Sequence, residues 1–195
     1  MKKKQGYSDE VCRSFDLPGA GNTKAVLEMV CRRAERPGIV KIIIPTYSGK
    51  TALLAAEMID PTKIVAVTTA YGFDKPNAQV MKESVRDKLL EKGMRIVTGT
   101  HALGGVGRSV RKKLGAYQVD EIIAYTLRIF GQGTKVAIEA ALMAADAGSV
   151  PTDGNIISTG GSSSGLDTAL VLQPANASSF LDVKVREVIC KPAYF

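Results

Sequence analysis

Apolar residues in this chain come in two alternating rhythms, short continuous runs and longer segments with helical spacing. Residues 22–36 place Ala25, Val26, Met29, Val30 and Ala34 on one helical face, with Asn22 or Thr23 as the cap and Pro37-Gly38 as the stop. A continuous apolar run follows at 39–44, then a helix at 50–58 closed by Asp60-Pro61. A second strand is read at 63–68, a loop at 71–76, an amphipathic helix at 77–92 ended by Gly93, and a third strand at 94–98. Beyond the glycine-rich loop 99–107, helical segments are read at 108–114, 119–130 and 134–147. Strands at 155–159 and 168–172 flank the glycine/serine loop 160–165, and 183–189 alternates as an edge strand does.

Strands alternating with helices across short turns predict an α/β fold, three layers deep, with a mostly parallel sheet covered on both faces. The last strands have no helix between them, so an antiparallel edge is expected. No repeat or long linker divides the chain, and the loop 174–179 is too short to do so. Residues 1–195 are therefore read as one domain, with 1–13 as a frayed basic tail.

Composition narrows the function. At 195 residues and 45% hydrophobic content the chain can bury a sizeable core, roughly 70% of its unfolded surface. No apolar run is long enough for a membrane span, and none follows the basic N-terminus as in a signal peptide. Cys12, Cys31 and Cys190 lack metal or disulfide spacing and read as reduced thiols of a cytoplasmic protein. One histidine makes a metal site unexpected. The net charge of +7 is spread over helices with few aromatics beside it, so nucleic acid is not an expected partner. The oligomeric state is open, with a homo-oligomer as one outcome.

The segment with most chemistry is 39–59. A buried strand breaks at Pro45 into Thr46-Tyr47-Ser48-Gly49-Lys50-Thr51 and a helix begins there. Such a turn gathers free backbone N–H groups, hydroxyls and one ammonium, which suits a phosphate; the helix dipole is expected to add on the order of 1 kcal/mol. A P-loop is excluded because Ile44 stands where its first glycine belongs. A dinucleotide fingerprint is excluded because position 110, after Gly105 and Gly107, is valine. Loops 46–51, 68–74, 99–107 and 160–165 should gather at the carboxyl edge of the sheet, where ligands bind in open α/β folds.

The string IIIPTYSGKTALLAAEMIDPTKIVAVTT resembles the C-terminal α/β domain of pyruvate kinase. Phe15-Asp16-Leu17-Pro18-Gly19 with Asn22-Thr23, then 98–103, 129–133 and 169–176, extend the likeness to the stand-alone family of pyruvate kinase C-terminal domain-like proteins of archaea and some bacteria. Ser14-Phe15 stands where that family has Tyr-Phe. The resemblance covers nearly all of the chain from about residue 14. It implies a three-layer fold and flavin mononucleotide (FMN) as ligand, with no established biochemical role. In pyruvate kinase the matching turn holds a phosphate of an allosteric sugar bisphosphate; here its positions are Thr46, Ser48, Gly49, Lys50 and Thr51. The chain is not expected to be a pyruvate kinase, having no room for the barrel domain and none of its catalytic residues.

The ligand residues expected on this reading are Thr46, Ser48, Gly49, Lys50, Thr51, Asn22, Thr23, Thr100, His101, Gly131, Gly133, Gly160 and Gly161. His101, the sole histidine, is the candidate acid/base or ring contact, and the glycines would admit a flat ring. Glu139 among alanines is read as structural, partnered by Lys135 four residues earlier. No nucleophile–base–orienter set is visible, so any redox chemistry would be the flavin's. The alternative is a non-catalytic sensor of a small phosphorylated metabolite such as a sugar phosphate.

Overall fold

The computed structural model describes Gly6 and residues 9–195. At its centre lies β2 (Ile39–Pro45), whose Ile42, Ile43 and Ile44 are all buried. A strand apolar at consecutive positions must be covered on both faces, and here it is. Ile42 and Ile44 meet α1 (Thr23–Ala34), α2 (Lys50–Ala55) and Leu89 of α3 (Glu83–Glu91). Ile43 faces the opposite way, with Val65 and Val67 of β3 (Ile64–Thr69), onto the alanine-rich α6 (Gln132–Asp146). The helix 119–130 expected from sequence is α5 (Val119–Arg128), which lies outside α6 and shares a smaller cluster with it through Ala124 and Leu142.

The other strands are β1 (Arg13–Phe15), β4 (Arg95–Gly99), β5 (Asn155–Gly160), β6 (Thr168–Gln173) and β7 (Lys184–Pro192); α4 is Val106–Leu114. All seven strands join one sheet in the order β1-β7-β6-β5-β2-β3-β4. Pairs β2–β3, β3–β4, β2–β5 and β1–β7 are parallel, while β5–β6 and β6–β7 are antiparallel. The α/β/α layering and mostly parallel mixed sheet match the expectation.

Several boundaries differ. The strand expected at the edge, 183–189, is β7 and is interior. The edge belongs to β1, paired to it as Arg13↔Cys190 through Phe15↔Pro192, within and just after the segment read as a frayed tail. The rest of that tail lies mostly outside the described residues, although Glu10 reaches Arg36 at 2.7 Å. Helix 77–92 shrinks to Glu83–Glu91 because Asn77 takes a positive φ of 59° and Gln79 folds its amide onto the backbone of Thr69, Val80 and Met81. Met81 still fills the core, so an apolar side chain arriving from a loop imitated a helical period. Helix 50–58 ends at Ala55 and runs on to Ile59 as turns. Conversely α4 starts two residues before 108.

The contact that positions α6 is glycine on glycine. A Cβ at Gly160 would overlap the Gly133 carbonyl and come within 2.9 Å of the Ala137 amide, and one at Gly133 would overlap Thr168. Ser158 Oγ donates to the Ala137 carbonyl at 2.7 Å in the same seam. Gly160→Ala should therefore push α6 off the sheet and cost roughly 1–3 kcal/mol or more. Gly154→Ala, whose new methyl would meet only Val40 and Pro151 side-chain atoms at ordinary distance, should be nearly neutral. Urea denaturation of both variants checks the contrast.

Candidate functional site

Pro45 ends β2, and the chain turns so that Thr46 N donates to the Val67 carbonyl at 2.8 Å and Gly49 N donates to Thr46 Oγ1 at 3.1 Å. Gly49 sits at φ 89°, and a side chain there would overlap Val85 of α3. Glycine is thus required twice, by conformation and by the helix behind the turn. It faces that helix and leaves the crevice side to its neighbours. Among the described residues the N–H groups of Ser48, Lys50 and Thr51 have no backbone or side-chain acceptor. They point no hydrogen bond inward, so an anion at the turn would satisfy groups that are otherwise left to water. α2 has only six residues, so the dipole contribution expected from a longer helix is reduced. Lys50 and the free N–H groups carry the electrostatics.

In front of this turn opens a crevice of about 880 Å³. Its walls come from the 46–51 turn, Thr68 and Thr69 at the end of β3, Phe73, His101, the first half of α6 and the 161–165 loop. The four expected loops do gather at the carboxyl ends of the parallel strands β2, β3 and β4, joined by the loop after β5. One wall is aromatic. Tyr47 and Phe73 meet edge to face at 6.3 Å, Phe73 and His101 are tilted at 5.0 Å, and the Arg108 guanidinium lies 5.6 Å from the Phe73 ring centre. The floor is apolar at Val136, Ala140 and Met143 and carries one carboxylate, Glu139.

Thr46, Ser48, Lys50, Thr51, Thr23, His101 and Gly161 line this space. The remaining expected positions do not. Asn22 spends its side chain on the Leu17 carbonyl at 2.7 Å, and Thr100 is exposed beside Gly105. Gly131 packs by Phe195, and Gly133 and Gly160 serve the helix–sheet seam. Thr23 is also committed locally: its hydroxyl donates to Ala20 O at 2.7 Å and accepts from Leu166 N at 3.0 Å. Sequence reasoning passed over Tyr47, Phe73, Thr68, Thr69 and Gln132 as liners. Tyr47 and Phe73, exposed aromatics in loops just beyond strand ends, were the available signal.

Two buried polar groups shape the crevice from behind. Asp167 accepts from Gly19 N and Ser162 N, each at 2.9 Å, and from Thr168 Oγ1 at 2.8 Å, tying the 161–165 loop to the segment before α1. Glu139 forms the expected ion pair with Lys135 and also accepts from Leu103 N at 3.0 Å, anchoring the loop that carries His101. Glu139 is thus structural, as expected, and a crevice liner as well. Burial pushes the Lys135 ammonium below its ordinary value, with Glu139 opposing. Burial also lowers His101; Glu139 pulls it back up, while Lys135 and Arg108 push it further down. The imidazole is therefore held neutral at pH 7, able to accept one hydrogen bond and donate another. Thr69 Oγ1, on the crevice wall, is buried and has no partner among the described residues.

Two outcomes follow from these groups. Glu139→Ala should cost about 3–5 kcal/mol, because it leaves the Lys135 charge and the Leu103 amide buried without partners. Adding Lys135→Met should recover much of that loss in the same denaturation assay. For His101 the folded value lies below the unfolded one, so the unfolded chain takes up the proton first. The His101 contribution is intact above pH 6.5 and falls as pH drops from there towards the lowered folded value. Stability measured between pH 7.5 and 5.5 should decline less steeply in His101→Asn than in the natural chain.

A family model described as pyruvate kinase, alpha/beta domain, matches residues 24–172. The matched segment runs from α1 through β6 and includes the 46–51 turn, the aromatic wall and α6. The chain belongs to the pyruvate kinase alpha/beta domain family.

Proposed function

We propose that the crevice binds a phosphorylated small molecule with a planar ring, its phosphate on the 46–51 turn and its ring along Tyr47, Phe73 and His101. FMN is the candidate that fits this description. The observation that carries the reading is the division of one crevice into an anion-seeking end and an aromatic, apolar end. Ser48, Lys50 and Thr51 offer unspent donors at the first. Phe73, Val136 and Met143 offer flat and apolar surface at the second. The Thr69 hydroxyl, without a partner among the described residues, and the neutral His101 line the same crevice as donors or acceptors for a ring's polar atoms.

A bound flavin would supply electron or hydride transfer, and the protein's share would be to bind, orient and shield it. Lys50 and the turn amides hold the phosphate. Asp167 and Glu139 fix the two loops that close on the ring. The second reading, a sensor of sugar phosphates, draws on the family and on Ser163 and Ser164, whose side of the crevice could hydrogen-bond sugar hydroxyls.

The freshly purified protein should show the visible absorbance of a flavin, or take it up when FMN is added. Lys50→Ala should weaken FMN binding about ten- to a hundredfold, as expected for a lost charge-assisted hydrogen bond. Colourless protein that ignores FMN but melts at higher temperature with a sugar bisphosphate would move the function to the second reading. A Lys50→Ala variant that binds either ligand like the natural chain would reject the turn as the phosphate site.

A further inference from the structure

α5 is apolar on two sides. Ile123, Ala124 and Leu127 face inward to Leu103 and Leu142. Outward, Val119 is 72% exposed, Ile122 55% and Ile129 68%, with Phe130 beside them at 56%. An amphipathic helix normally buries its apolar positions, yet nothing within the described chain covers the second apolar stripe of α5. Among the described residues, eight of the 19 large hydrophobic side chains left exposed fall between Val106 and Phe130. Scattered exposure is ordinary, whereas a cluster of this size marks a contact surface.

We propose that the outward face of α5 is a two-fold interface, on which a second copy of this chain packs its own α5 antiparallel to the first. A two-fold contact sets each surface against itself, so a charged stripe would repel its twin. The stripe 119, 122, 126, 129 reads Val, Ile, Thr, Ile and carries no charge. Its single hydroxyl, Thr126 Oγ1, already donates to the Ile122 carbonyl at 3.0 Å. Acidic side chains of α5 turn away from it: Asp120 lies against Gly107, and Glu121 is buried on Arg111 at 2.7 Å.

Charge complementarity sits at the ends of the stripe. In an antiparallel pair the carboxyl end of the partner's α5, with its exposed carbonyls, approaches the loop before this chain's α5. There α4 ends in the exposed Lys112 and Lys113. Arg128 does not oppose them, since it is folded back on Gln132 at 2.6 Å and over the Tyr125 ring at 5.0 Å. The area is also of the right size. Leu114, Val119, Ile122, Tyr125, Ile129 and Phe130 expose on the order of 100 Å² each, close to the about 800 Å² per partner of a standard interface once flanking atoms join. Neither a nucleic acid nor an anionic membrane would find a cation on the stripe itself.

Sedimentation velocity on the full chain at micromolar concentration should give the mass of two 20.7-kDa chains. Ile122→Glu and Ile129→Glu should each raise the dissociation constant about a hundredfold or more and give monomers with unchanged circular dichroism. In a Cys12→Ser background, which removes the exposed thiol, Ile122→Cys, the stripe position nearest the two-fold axis, should form an intermolecular disulfide, a readout that does not depend on the glutamate variants folding. A monomeric natural chain would overturn the proposal. So would a dimer indifferent to Ile122→Glu, or an Ile122→Cys chain that never cross-links. A monomer that sediments with phosphatidylserine vesicles through Ile122 would assign the face to a membrane instead.

Discussion

The close approach of α6 to β5 through Gly133 and Gly160 is the constraint on which the rest of this structure depends. It lets a helix made largely of alanine lie on the sheet with nearly every residue buried from Gly133 to Ala145. That proximity does two things at once. It closes one face of the core over Ile43, Val65 and Leu170, and it brings Val136, Glu139 and Ala140 to the floor of the crevice. Core and site are therefore built from alternate sides of one helix, so damage to the seam is felt in both.

The buried Lys135–Glu139 pair shows how the coupling is used. An apolar pair of similar volume would be cheaper to bury, and stability alone gives no reason for charge here. Glu139 earns its place by also accepting from Leu103 N, which fixes the loop bearing His101 against the crevice. Asp167 plays the corresponding part across the crevice for the 161–165 loop. Two loops that would otherwise be free to move are each pinned by one buried carboxylate. A preformed crevice lowers the ordering cost of binding.

Much of this was legible in the residues. The apolar run 39–44 announced a strand buried on both faces, and Pro45 with Gly49 announced the turn. What escaped was decided by contacts distant in sequence. β1 is three residues long and exists only because β7 offers it a parallel partner, a pairing invisible to local periodicity. Met81 imitated a helical position while reaching the core from a loop pinned by Gln79. In the site, the hydroxyl- and lysine-bearing turn singled out from sequence lies on the crevice wall, and it could be singled out because its chemistry is local. The glycines were harder. Gly133, Gly160 and Gly161 look alike in sequence, yet the first two serve packing and only the third lines the crevice. Tyr47 and Phe73 join into one wall only when β2 and β3 lie side by side.

The central claim is that a single ligand spans the crevice from the 46–51 turn to the aromatic wall. Backbone and methyl NMR spectra recorded while FMN is added test it most directly. The account predicts that the amides of Ser48, Lys50 and Thr51 and the methyl of Met143 shift together along one saturation curve. Shifts at Met143 with the turn amides unmoved, or a response confined to residues outside the crevice, would contradict it.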